Sequence, residues 1–196
     1  MVQKIINNLP KLVHFQLKIG SNNEKRYVED KYLNKEVLKK FSHPFTGSHS
    51  KIYIVKYEDE IIYVGYTIDS ISDRLRTGLA PYNKIVTDPE IIQRKNPYAG
   101  YKWRHLDKVD YFVWVFENIE LPVTTEMKYL FENIEAEIVF KLKAQGSWPK
   151  YQSEIHFYSE IGNQQPEKCE GVFGISLSDM AQGLLTELGN YGVNRK

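Results

Sequence analysis

A single cysteine, Cys169, occurs in 196 residues. An internal disulfide and a cysteine-rich zinc site are therefore excluded from the outset. No apolar run approaches the roughly 20 residues that a membrane-spanning helix needs. The opening Met1-Val-Gln-Lys-Ile has neither the apolar segment nor the cleavage site of a signal peptide. The expectation is a protein of the reducing cytoplasm, with no membrane partner. Excess charge of one sign is also missing. The formal net charge is +1, so any affinity for nucleic acid must come from local clusters rather than the total. Internal repeats and low-complexity tracts are absent. What is present is 42% hydrophobic residues, enough for a packed core, and 14 tyrosines.

Length suits one domain or one catalytic core with modest extensions. Residues 1–50 read as an N-terminal extension. Within it Leu12–Leu17 suggests a short strand or helix, Lys35–Phe41 a short helix, and His43–Ser50 a turn-rich linker broken by Pro44 and Gly47. Ile52-Tyr-Ile-Val and Ile61-Ile-Tyr-Val are β-branched and aromatic, and the charged Glu58-Asp-Glu60 between them reads as a hairpin loop. Ile68, Ile71, Leu75 and Leu79 recur at helical spacing, with Ser70 and Asp73 as an N-terminal capping pair. Residues 80–108 form an irregular insert with one helical turn expected after Asp88-Pro89. Val109–Phe116 reads as a buried strand. Thr124–Ala144 is the longest expected helix, with Gly146 just past its end, and another helix is expected near Ser176–Leu188. The fold class is α+β. The expected core spans 51–156 and holds a small, mainly antiparallel three-stranded sheet in the order β-β-α-β-α. Residues 157–196 form a C-terminal extension.

Three features carry chemistry. If Glu58–Glu60 is a three-residue loop, Tyr57 pairs with Ile61, Val55 with Tyr63 and Tyr53 with Gly65. Both tyrosines then share a sheet face, and Gly65 leaves space beside Tyr53; ordinary hairpin packing would look the same. Arg74 flanks the apolar stripe of the first helix, where it could reach that face and hold a phosphate oxygen; a solvated surface arginine is the plainer reading. Glu135 has Phe131, Ile138, Val139 and Leu142 at helical spacing, so it lies on or beside a buried face. A carboxylate there is costly unless paired or bound to a metal. A salt bridge to Arg74 would satisfy it equally well.

In order and spacing these residues resemble the GIY-YIG nuclease superfamily. Lys51-Ile-Tyr53 and Tyr63-Val-Gly65 match its two tyrosine segments, with nine residues between the tyrosines. Arg74 lies nine residues past Gly65, and Glu135-Ala-Glu-Ile138-Val139 matches the helix of the metal-binding glutamate. Pro149-Lys-Tyr151-Gln152 stands where the family has Pro-x-aromatic-Asn. The departures are Lys51 for the first glycine, Gly78 for a histidine often found four residues after the arginine, and Gln152 for the asparagine. His105 is a candidate substitute for that histidine.

The resemblance implies hydrolysis of DNA phosphodiester bonds with one divalent ion, Mg2+ or Mn2+, held by Glu135 and phosphate oxygens. It implies Tyr53 as general base, Tyr63 orienting water or phosphate, Arg74 stabilising the charged transition state and Gln152 supporting the site. A restriction-type enzyme is one form of this activity. Arg76, Arg94, Lys95, Tyr101, Lys102, Trp103 and Arg104, basic and aromatic residues in and near the insert, are the expected DNA contacts. With one site per chain, cutting both strands needs a homodimer or sequential nicking. The alternative is a non-catalytic nucleic-acid-binding module on the same scaffold.

Overall fold

The computed structural model describes residues 9–22, 25–79, 102–117, 125–152, 155 and 174–193. Its strands are β1 (Val13–Asn22), β2 (Lys25–Leu33), β3 (Glu36–Val37), β4 (Ser50–Tyr57), β5 (Glu60–Thr67) and β6 (Lys108–Phe116). Its helices are α1 (Ile71–Leu79), α2 (Thr125–Ala144) and α3 (Leu177–Val193), with a short 3-10 turn at Lys102–His105. The class is α+β, and between β4 and α2 the expected order of strand, strand, helix, strand, helix is observed. The sheet is larger than expected. Six strands, not three, join in the order β3-β2-β1-β6-β4-β5, with every neighbouring pair antiparallel.

The segment read as an N-terminal extension thus supplies β1, β2 and β3. Phe15, Leu17 and Ile19 alternate with exposed Gln16 and Lys18, a period of two that pins β1 against β6. No helix forms over 35–41. Asn34 and Lys35 both take positive φ, 52° and 71°, and close a two-residue hairpin that pairs Leu33 with Glu36. Two consecutive left-handed residues match the right-handed strand twist, which a helix start there would forgo.

The sheet is covered on both sides. Ile52 and Ile54 of β4 face α2 and α3, packing with Val64, Trp114, Phe131, Ile138 and Leu184. Tyr53 and Val55 face α1, with Ile71, Leu75, Trp103, Tyr111, Phe41 and Phe45. A strand sandwiched this way buries consecutive residues, which is why Ile52–Val55 reads as a continuous run rather than an alternating one. Both α1 and α3 start with the same device. The Ser70 and Ser176 hydroxyls accept the backbone N–H of Asp73 and Asp179, at 3.0 and 3.1 Å. On α3, Glu187 accepts from the Trp114 indole at 2.6 Å and from the Leu12 backbone at 3.1 Å, tying the helix to two strands. No helix among the described residues is long and apolar enough to cross a membrane. The helical turn expected after Asp88-Pro89 lies outside the described residues.

Candidate active site

β5 ends the sheet, so its outward backbone groups need partners from elsewhere. Three residues supply them in alternation. Tyr151 N–H donates to the Ile62 carbonyl at 2.9 Å, the Gln152 side-chain oxygen accepts from Val64 N–H at 3.2 Å, and Glu135 accepts from Tyr66 N–H. Gln152 also donates from Nε2 to Glu135 Oε1 at 3.4 Å. This edge decoration holds α2's carboxylate, which comes from the α2–α3 side, at the β5 border that the two faces share.

On that face the register is Tyr53 opposite Gly65 and Val55 opposite Tyr63, as the sequence reading expects. The loop that sets it is different. Only Glu58 and Asp59 lie between the paired Tyr57 and Glu60, and a bulge at Ile62 restores the alignment. Glu58 carries the turn with φ of 55°. The Tyr53 ring lies over Gly65, where a Cβ would collide with ring carbons and hydroxyl alike. Tyr53 itself is fully buried. Its oxygen accepts a hydrogen bond from Arg74 Nε at 3.1 Å, so α1 does bring its arginine to the tyrosine face. Tyr63 stacks obliquely on Tyr53 with ring centroids 6.1 Å apart.

The electrostatics divide the groups by role. Burial pushes the Tyr63 phenol far up, and Tyr53 and Glu135 push it further while Arg74 opposes them; Tyr63 therefore stays a neutral donor. Burial lifts the Glu135 carboxyl from 4.5 to about 7, against the Arg74 guanidinium and the Gln152 and Tyr66 hydrogen bonds, with Glu132 adding to the rise. An anion so placed gains from a cation beside it. A single, anchored, partly desolvated carboxylate fits a magnesium-class ion that keeps most of its water, and Glu135 is the residue that would hold it.

The remaining expected residues are distributed unevenly. His105 meets the Tyr151 hydroxyl at 3.2 Å, next to Gln152, and so borders the edge decoration. Arg76 is exposed on α1 and paired with Asp73 at 2.7 Å. Arg104 is half-buried in the 3-10 turn that Lys102 opens. Trp103 is not an available stacking surface: its side chain is wholly enclosed in the tyrosine-face core, because the turn tucks it under the sheet. Arg94, Lys95 and Tyr101 lie outside the described residues.

Three residues escaped the sequence reading. Tyr111 of β6 stacks on Tyr53 at 5.1 Å and 16°, and its buried hydroxyl has no hydrogen-bond partner among the described residues. The signal was available, since any strand pairing with β4 opposite Val55 would put a residue beside both tyrosines. Arg26 clamps the 3-10 turn through the carbonyls of Arg104 at 2.8 Å and Leu106 at 3.0 Å, from a strand that sequence did not reveal. Glu132, one turn before Glu135, has a side chain only 22% exposed, and its Oε2 is buried without a partner among the described residues.

Family models, curated proteins and solved structures all return no match to this chain.

Proposed function

We propose that the chain is a metal-dependent endonuclease of the GIY-YIG kind, hydrolysing DNA phosphodiester bonds at the β5 edge. The observation that carries the reading is the Tyr53–Arg74 hydrogen bond of 3.1 Å on the face where Tyr63 stacks on Tyr53, with the Glu135 carboxyl held at the edge of the same hairpin by Gln152.

In this reading a water attacks phosphorus and the bond to the leaving oxygen breaks. Tyr53 takes the water's proton, and the adjacent guanidinium offsets the charge a phenol acquires as base. Because Tyr53 is enclosed, water reaches it past Arg74 and Tyr63, which are only partly buried. Arg74 also faces the negative charge that grows on the phosphoryl oxygens. Tyr63, held neutral, donates a hydrogen bond that orients water or phosphate. Gln152 fixes the Glu135 carboxylate. Bound at Glu135, Mg2+ would supply charge neutralisation of the phosphate. Of the expected DNA contacts, Arg76, Lys102 and Arg104 are the cations on described elements that remain for the DNA backbone in this reading; Trp103 drops out of that set.

Nicking of supercoiled plasmid with and without Mg2+, by the wild type and by Glu135→Ala, tests the proposal. Nicking by the wild type only, and only with metal, supports it. DNA affinity without cleavage by either protein would replace it with the non-catalytic binding module. Neither binding nor cleavage would leave the motif match a coincidence.

A further inference from the structure

Away from the β5 edge, two histidines and a glutamate meet where β4 begins and β6 ends. The register pairs Ser50 with Phe116, so the next step outward sets His49 against Glu117. The turn before β4 then brings His43 back beside them. His43 Nδ1 is 3.8 Å from Glu117 Oε2, the two imidazoles meet edge-to-face at 5.6 Å, and one ligand atom from each of the three residues lies within 4.8 Å of the others.

The turn that presents the histidines is held from several sides. Phe41 and Phe45 are buried on either side of His43. Phe45 N–H donates to the Ser42 carbonyl at 2.9 Å, and the Phe45 carbonyl accepts the first N–H of α1 at 2.9 Å. Gly47 leaves room for the His49 ring, which a Cβ would crowd at 2.8 Å. Lys51, fully buried, donates from its ammonium to the carbonyls of Gly47, His49 and Asp69 at 2.7, 2.7 and 3.0 Å. The backbone is thus fixed while the ligand side chains of His43 and Glu117 remain 70% and 43% exposed and free to swing.

We propose that His43, His49 and Glu117 bind one zinc-class ion per chain, with water in the fourth position. Imidazole nitrogen selects such ions over magnesium, and two imidazoles with one carboxylate are a sufficient tetrahedral set. Bonds of about 2.0–2.1 Å put tetrahedral ligand atoms roughly 3.4 Å apart. Closing to that spacing needs side-chain shifts of about 1 Å, within the reach of exposed rotamers. The ion would staple the turn at 43–49 to the end of β6, residues remote in sequence, and so hold the start of α1 through Phe45. The site is independent of Glu135 and of any nuclease activity.

Co2+ is the probe, titrated into chelator-treated full-length protein at neutral pH and followed by visible absorption and calorimetry. The expected result is one equivalent bound, with the intense visible bands of four-coordinate Co2+. Zn2+ at about a hundredfold above its Kd should raise Tm by on the order of 5–10 °C. Excess Mg2+ should not displace the bound Co2+. Glu117→Gln and His49→Ala should each weaken Co2+ binding more than about tenfold, while Glu135→Gln and His105→Ala leave it unchanged. Glu117 is exposed, so its variant should fold even if His49→Ala does not. No saturable binding, or binding unaffected by Glu117→Gln, overturns the proposal.

Discussion

The two faces of the central sheet are built on different terms. The side under α2 and α3 is mostly apolar, and its polar links are largely paired, Glu187 with the Trp114 indole and His14 with Asp110 each at 2.6 Å, with Glu132 Oε2 the exception among the described residues. The side under α1 stacks three tyrosines around Val55, leaves the Tyr111 hydroxyl without a partner among the described residues and buries the Lys51 ammonium. Burial lowers that ammonium's pKa to about 8, with Asp69 pulling it back up. Polar groups enclosed in this way cost stability that aliphatic residues would not. In the proposed function the face that retains them beside Arg74 is the one that serves chemistry. The other face is arranged for cohesion.

Substitutions can break that contrast. The largest expected effect is on activity: Glu135→Ala should lower Mg2+-dependent nicking by at least about 10³-fold, read on plasmid, with DNA retardation retained. Next is Gly65→Ala, which drives a methyl into the Tyr53 ring. It should cost about 1–3 kcal/mol in urea unfolding and reduce nicking in parallel. The carboxyl of Glu135 gives a pH signature. Its folded pKa, about 7, lies above the ordinary 4.5, so the native state holds a proton that the unfolded state has released between those values. Stability should therefore fall as pH rises from about 4.5 to 7 and level off above, by on the order of 1–3 kcal/mol. Glu135→Gln should flatten that slope in denaturation curves taken across the window. Tyr111→Phe removes the unpartnered hydroxyl and should stabilise by about 1 kcal/mol while slowing nicking if the hydroxyl serves the site. The smallest effect belongs to the cohesive face. Gly189 on α3 has open space at its Cβ, and Gly189→Ala should raise stability by about 0.5–1 kcal/mol with no change in activity.

Sequence made the middle of the chain and the C-terminal helix legible and hid the N-terminal strands β2 and β3. β4, β5, α1, β6 and α2 announce themselves by β-branched runs, helical spacing and caps, and the Tyr53–Gly65 register followed from counting. β2 did not, because Lys25–Leu33 carries charges on both faces of a strand near the sheet's end, where the period-two signal fades. Arg26 was lost with it. Trp103 looked like a stacking residue because composition alone cannot tell an aromatic on a loop from one folded beneath a sheet. Glu135 was found from its apolar neighbours, yet the reason it is tolerated, an edge strand needing an acceptor at Tyr66, is a tertiary fact.

That edge has a consequence for assembly. At one end the sheet closes under Tyr151, Gln152 and Glu135, and at the other it tapers into the two-residue β3. The two borders therefore differ: among the described residues β5 presents no bare ladder on which a second copy could continue the sheet, whereas β2 pairs with β3 only at Tyr32 and Leu33 and leaves its earlier residues without a strand partner on that side. Under the proposed function, two copies cutting opposite DNA strands would not meet by extending the sheet at β5, and surface substitutions that part them would leave that edge, and nicking by each separated copy, intact.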